Sequence, residues 1–240
     1  MRTQSIVKTI SLLALPVLLL FTACDPTAIK GEGDILTENR NVQGFKSLET
    51  SVSGEIHITK GETFSVKVTA EESLLPYLET EVKNGYLHVY FSHNVRDVDD
   101  LEIEITMPEL KNVDMSGSAH LHTHGAFTGA TMNLSLSGSG RMDMNDLDYA
   151  YIAAQVSGSG TLELKGRGEE LDANLSGSGE IDAFQCPVKT VETRVSGSGM
   201  VRVQVSEKLI AHISGSGHVQ YKGNPVVEKH ISGSGSVVKK

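Results

Sequence analysis

The tetrapeptide Ser-Gly-Ser-Gly starts at Ser137, Ser157, Ser176, Ser196, Ser214 and Ser232, and an altered copy, Ser116-Gly117-Ser118-Ala119, precedes the six. Successive starts lie 21, 20, 19, 20, 18 and 18 residues apart. A period near 20 residues is too regular for scattered linkers and too short for an autonomous domain. It is the length of one coil of a β-solenoid, in which each unit is stable only when stacked on its neighbours.

A flexible Gly/Ser array would need polar, aperiodic flanks. The flanks here alternate instead. After the tetrapeptides come Arg141-Met142-Asp143-Met144, Thr161-Leu162-Glu163-Leu164, Glu180-Ile181-Asp182-Ala183, Met200-Val201-Arg202-Val203 and His218-Val219-Gln220-Tyr221. Before them, Met132, Leu134 and Leu136 point one way, as do the matching residues of later coils up to Leu209, Ala211 and Ile213. Ser135, Gln155, Asn174, Arg194 and His212 take the outward positions between them. Alternation of this kind marks strands with one buried face.

Each coil therefore reads as a strand, a corner, a second strand and a variable return. Stacked coils place like residues about 4.8 Å apart, which predicts a buried column of Met142, Leu162, Ile181, Val201, Val219 and Val237. The corner pairs Ser137-Gly138, Ser157-Gly158, Ser176-Gly177, Ser196-Gly197, Ser214-Gly215 and Ser232-Gly233 are structural. Glycine there opens backbone angles closed to other residues. The serines are expected to form hydroxyl ladders that satisfy the backbone groups of the corners.

The chain opens with a targeting segment, residues 1–23. Arg2 and Lys8 supply positive charge, and the apolar run from Ile10 to Phe21 is short for a membrane span. It ends in Leu20-Phe21-Thr22-Ala23-Cys24, which resembles a bacterial lipobox. Cleavage would leave Cys24 as an acylated N-terminus, and two or more acyl chains hold a protein stably on a membrane. Residues 24–44 then read as a polar tether that joins the first strand. Losing the leader leaves 19 basic against 30 acidic residues. That balance argues against nucleic acid as a partner. Cys186 is the other cysteine; with Cys24 acylated no intramolecular disulfide forms, and Cys186 reads as a buried or idle thiol.

Residues 45–240 form one domain, with 45–110 a degenerate first coil plus cap strands and 111–240 the repeats. Phe45 to Val52 leads through Ser53-Gly54 into Glu55-Ile56-His57-Ile58, a coil with a shortened corner. Phe64–Val68 and Leu101–Ile105 alternate as strands. Glu71 to Leu78 predicts a helical turn ended near Pro76. Glu79–Lys83 and Tyr86–Phe91 flank Asn84-Gly85, a strong hairpin signal. These elements are expected to cover the first open coil, whose backbone edge would otherwise be unpaired.

The layout as a whole resembles the head-GIN-domain family of bacterial auto-transporter adhesin heads. The likeness rests on the lipobox leader, Gly44-Phe45-Lys46-Ser47-Leu48, Gly54-Glu55-Ile56-His57-Ile58, Lys60-Gly61-Glu62, Val66-Lys67-Val68 and Glu79-Thr80-Glu81-Val82-Lys83-Asn84-Gly85-Tyr86-Leu87, followed by the coils. It covers about residues 40–235. The resemblance implies a single-stranded, right-handed parallel β-helix in a secreted or lipid-anchored protein, and an adhesive role. It brings no catalytic residue set.

Two clusters carry possible cation chemistry. His120, His122 and His124 lie at spacing two, on one face of a strand, and neutral imidazole suits Zn²⁺. A tetrahedral site needs a further ligand from elsewhere in the fold. The outward column His122, Asp143, Glu163, Asp182, Arg202 and Gln220 places three carboxylates on adjacent coils. Such a stripe repels itself unless Ca²⁺ or flanking cationic side chains compensate. The favoured reading of both clusters is a solvated polar face. Tyr149, Tyr151 and Phe184 have the best claim to exposure among the aromatic residues, and a packing role is the favoured reading of them.

Phosphate loops and nucleophile elbows are absent from the sequence; each Gly-Ser-Gly is a corner. The sequence thus points to a non-enzymatic lipoprotein of the cell envelope, at the outer membrane on its periplasmic or external side. Its repetitive face would contact a protein, a glycan or another copy of itself. The alternatives are a polysaccharide-active or divalent-cation-binding β-helix, and an envelope stress scaffold beside a membrane partner.

Overall fold

The computed structural model describes residues 27–240, so the leader and Cys24 lie outside the described residues. In chain order the strands are β1 (Ile29–Lys30), β2 (Ile35–Arg40), β3 (Ser47–Thr50), β4 (Glu55–Lys60), β5 (Ser65–Glu71), β6 (Leu78–Lys83), β7 (Tyr86–Phe91), β8 (Val95–Arg96) and β9 (Glu102–Met107). They continue as β10 (Asn112–Gly117), β11 (His120–His124), β12 (Phe127–Gly138), β13 (Arg141–Gly158), β14 (Thr161–Gly177), β15 (Glu180–Gly197), β16 (Met200–Gly215), β17 (His218–Lys222), β18 (Val226–Gly233) and β19 (Ser236–Lys239). No α-helix occurs among the described residues. The chain is a parallel β-solenoid of about six turns with coils near 20 residues.

Each of β13 to β16 is nearly a whole coil, running from one corner to the next. Most of each return therefore stays in the ladder, and its variability shows as register shifts, between Glu163 and Lys165 of β14 and between Ala183 and Thr190 of β15. Leu147, Asp148 and Tyr149 of β13 pair in parallel with Gly166, Arg167 and Gly168 of β14 after a register shift behind Met144. Parallel pairing in constant register stacks Leu121, Met142, Leu162, Ile181, Val201 and Val219 into one fully buried column. Val237 continues the column and packs half-buried against the core. Burying a side chain of this size is worth roughly 1.5–3 kcal/mol, so the repeat multiplies a modest gain along the axis.

The corners are held by backbone. Gly158 O accepts N–H groups from Ser178 (2.9 Å) and Gly179 (3.0 Å), and Gly138 O does the same for Ser159 and Gly160 (2.9 Å each). The tetrapeptide serine hydroxyls make no comparable ladder among the described residues: a carbonyl clamp replaces it. A backbone carbonyl has two lone pairs, and the left-handed corner glycine turns both toward the next coil.

The N-terminal third is not stacked in chain order. Strands β3 and β4 are sandwiched between β7 and β9 on one side and β10 and β11 on the other. The outer coil is then closed by antiparallel strands: β6 on β7, β5 on β9, and β2 on β5. The β6–β7 hairpin turns at Asn84 and Gly85, both left-handed (φ 51° and 80°), as a type I′ connection requires. The expected helical turn is a single 3₁₀ turn, Leu75–Tyr77, with Pro76 inside it. Glu71 instead ends β5, and its buried carboxylate accepts the N–H of Asp99 at 2.9 Å. The polar segment after Cys24 contributes β1 and β2 to the folded body.

Candidate functional site

Two outward walls run along the axis, one before the corners and one after. On the post-corner wall the register sets His57, His122, Asp143, Glu163, Asp182, Arg202 and Gln220 in one line. The three carboxylates are interleaved with cations. Arg141 sits 2.7 Å from Asp143 and 2.6 Å from Glu163, Lys165 lies 3.0 Å from Glu163, and Arg202 lies 3.0 Å from Asp182. Asp182 also accepts the N–H of Phe184 at 2.9 Å. The stripe thus carries its own counter-charges, and its three acids do not converge on one point.

The histidines form a connected row. His120 and His122 meet with ring centroids 3.9 Å apart, and His57 stacks with centroids 5.6 Å from both His122 and His124, whose Nε2 lies 3.4 Å from His57 Nδ1. Glu55, at the start of β4, pairs in register with His120. Its Oε2 lies 3.6 Å from His120 Nδ1 and 3.6 Å from His122 Nε2. On the other side, Asp143 Oδ2 lies 3.0 Å from His120 Nε2 and 3.3 Å from His122 Nδ1. Burial pushes the Asp143 carboxyl up, but hydrogen bonds from Arg141 and His120 outweigh it and hold it below the ordinary carboxylate range. Burial, then repulsion from His120, lowers His122.

Sequence reasoning grouped the three histidines and missed Glu55. A signal existed: Gly54-Glu55-Ile56-His57 follows a shortened corner as Ala119-His120-Leu121-His122 follows the next one. Superposing those corners puts Glu55 beside His120.

The pre-corner wall carries Glu49, Asp114, Ser135, Gln155, Asn174, Arg194, His212 and His230 in register. It is acidic at its N-terminal end and basic at its C-terminal end, with neutral amides and a hydroxyl between. Shallow grooves flank it beside the corner serines: one of about 510 Å³ at Glu49, Asp114 and Ser137, another of about 600 Å³ at Arg194, His212 and Ser232.

Tyr149 does not lie on either wall. It is 2% exposed, and its hydroxyl donates to Leu110 O at 2.6 Å. Gly129 and Gly168 flank it in register, and a Cβ at Gly129 would stand 2.8 Å from the ring. The small neighbours make room for the ring, and Tyr149 takes the packing role rather than an exposed one. Tyr151 and Phe184 are half-buried, and Lys222 Nζ stands 4.2 Å above the Phe184 ring. Cys186 is fully buried, and burial pushes its thiol up to about 12.

No curated protein matches the chain. Among solved structures, a "putative adhesin" from Bacteroides fragilis is similar at 22% identity and TM-score 0.83, covering 89% of this chain and all of that one. A "putative lipid binding protein" from Parabacteroides distasonis matches at 26% identity and TM-score 0.75, covering 89% of this chain and 99% of that one. A "putative adhesin" from Parabacteroides merdae matches at 24% and 0.71, with the same coverage. The family model "Putative auto-transporter adhesin, head GIN domain" matches residues 44–225, from the first core phenylalanine to the last full coil. The chain belongs to this head-GIN adhesin family.

Proposed function

We propose that the protein is a non-enzymatic, lipid-anchored component of the cell envelope, held through Cys24, that contacts a protein or glycan partner along its pre-corner wall. The observation that carries this reading is the wall itself. Ser135, Gln155 and Asn174 repeat a neutral hydrogen-bonding side chain coil by coil, between an acidic end at Glu49 and Asp114 and a basic end at Arg194 and His212. A surface of this kind binds weakly per coil and gains strength by extension and by clustering on a membrane. Its polar groups are spread along the axis, unlike a catalytic cleft, where acid, base and electrophile converge on one atom. Family membership supports an adhesive role at the cell surface or envelope.

The test has two arms. Protease shaving of intact cells should release fragments of the protein, placing the wall outside. The full-length protein, reconstituted in vesicles, should bind glycan or host-protein arrays. The paired change Gln155→Arg and Asn174→Arg should abolish that binding, while Glu163→Gln on the other wall should preserve it. Equal loss from both walls, or product release from a polysaccharide panel, would sink the reading.

A further inference from the structure

We propose that Glu55, His120 and His122 bind one divalent transition-metal ion of the zinc type, with Asp143 orienting both imidazoles. The site does not depend on which partner the pre-corner wall takes.

Three strands on successive coils build it: β4 supplies Glu55, β11 both histidines and β13 Asp143. Ligand atoms of Glu55, His120 and His122 lie within 4.8 Å of one another. Glu55 Oε2 is 3.6 Å from each of the two facing nitrogens. Ligands about 2.1 Å from a tetrahedral Zn²⁺ stand roughly 3.4 Å apart, so the two Glu55 gaps are already near that spacing, and side-chain rotation of the half-exposed histidines closes the rest.

The tautomers follow from Asp143. Its Oδ2 faces His120 Nε2 and His122 Nδ1, at 3.0 and 3.3 Å, and a carboxylate can only accept. His120 Nε2 hydrogen-bonds this oxygen, and in the neutral tautomers that satisfy Asp143 both facing nitrogens carry the protons. The lone pairs are left on His120 Nδ1 and His122 Nε2, the two atoms that face Glu55. Three acceptors then converge with no hydrogen among them, an arrangement that a metal cation resolves. Carboxylate behind imidazole is the usual second layer of a metal site. Asp143 is itself held by Arg141 Nε at 2.7 Å and is only 9% exposed.

Two nitrogen ligands favour Zn²⁺, Ni²⁺ or Cu²⁺ over the oxygen-seeking Ca²⁺ and Mg²⁺. The half-exposed Glu55 leaves the remaining position open to water. His124 takes no part, because it is turned to His57. The acids of the column below are already matched by Lys165 and Arg202.

The test is competition between the EDTA-stripped full-length protein and a fluorescent zinc chelator. Wild type should bind a single equivalent of Zn²⁺, undisturbed by excess Ca²⁺, and Co²⁺ should give the intense visible bands of a four-coordinate site. Glu55→Gln and His122→Gln should each weaken binding at least 10-fold, and Asp143→Asn by about 10- to 100-fold at unchanged stoichiometry. His124→Gln should leave affinity as it was. Circular dichroism melts of the metal-free variants separate lost ligands from lost fold. Absence of stoichiometric Zn²⁺ binding by wild type would overturn the proposal, as would full affinity in a folded Glu55→Gln protein or equal loss in His124→Gln.

Discussion

Gly158 stacks so closely on Gly138 that a Cβ added to Gly158 would stand 2.6 Å from the Gly138 carbonyl oxygen. Its φ of +119° is also closed to other residues. Gly158→Ala should therefore destabilise the protein by about 2–4 kcal/mol. Gly44 is left-handed too (φ +79°), but nothing lies within 4 Å of its added Cβ. Gly44→Ala should cost about 1 kcal/mol. Urea melts of the two variants make the comparison, and equal losses would show that close stacking is not what demands glycine.

The corner serines should matter far less. Their hydroxyls are not what satisfies the corner, because Gly158 O already takes two backbone N–H groups from the following coil. Ser157→Ala should shift the urea-derived stability by no more than about 0.5 kcal/mol. A drop of several times that size would restore the hydroxyl ladder.

Tyr149 joins the return segment to the loop before β10 through one buried hydrogen bond to Leu110 O. Tyr149→Phe leaves that carbonyl unpaired and should lose about 1–2 kcal/mol. Gly129→Ala, which crowds the ring, should also destabilise. Because both changes act on one contact, their effects should fall short of additive in a double-mutant cycle.

Cys186 is enclosed, and its thiol is pushed up to about 12 by burial. At pH 8 the thiolate should be scarce and inaccessible. A disulfide reagent such as DTNB should leave Cys186 unmodified in the native protein and react fully in denaturant. Rapid native-state labelling would contradict the packing of the β15 return.

Asp114 stands directly beside Glu49 in register, and burial followed by repulsion from Glu49 raises its carboxyl above the ordinary value. The folded state then holds this proton more tightly than the unfolded chain does. Its contribution to stability is greatest at acid pH and is lost as pH rises from the ordinary carboxylate value through the raised one. Asp114→Asn should remove that slope and stabilise the protein near neutrality by about 0.5 kcal/mol. Thermal melts across pH 4 to 7 provide the measurement; an unchanged profile would mean that Asp114 is well solvated.

What the sequence determined by itself was whatever repeats. Period-two alternation between recurring corners dictates which face of each strand is buried, and the corners themselves set the register, with the differences in coil length taken up in the returns. The column from Met142 to Val219, and the outward line from His122 to Gln220, follow from those two regularities. Asn84-Gly85 was legible for a local reason, since both residues accept left-handed backbone angles. Tertiary structure alone decided what depends on non-repeating contacts. Alternation marks the strands that cover the coil of residues 45–60, but not their arrangement: β7 and β9 pair with β3 and β4 in parallel, and β2, β5 and β6 close the stack in antiparallel register outside them. Tyr149 is buried because two glycines on neighbouring coils leave space for its ring, which no local pattern encodes. Glu55 meets His120 and His122, which are 65 and 67 positions away in sequence, only because the degenerate coil stacks in register with the first true one. Local patterning sets each strand's faces; only the packing of distant segments sets which side chains share a point in space.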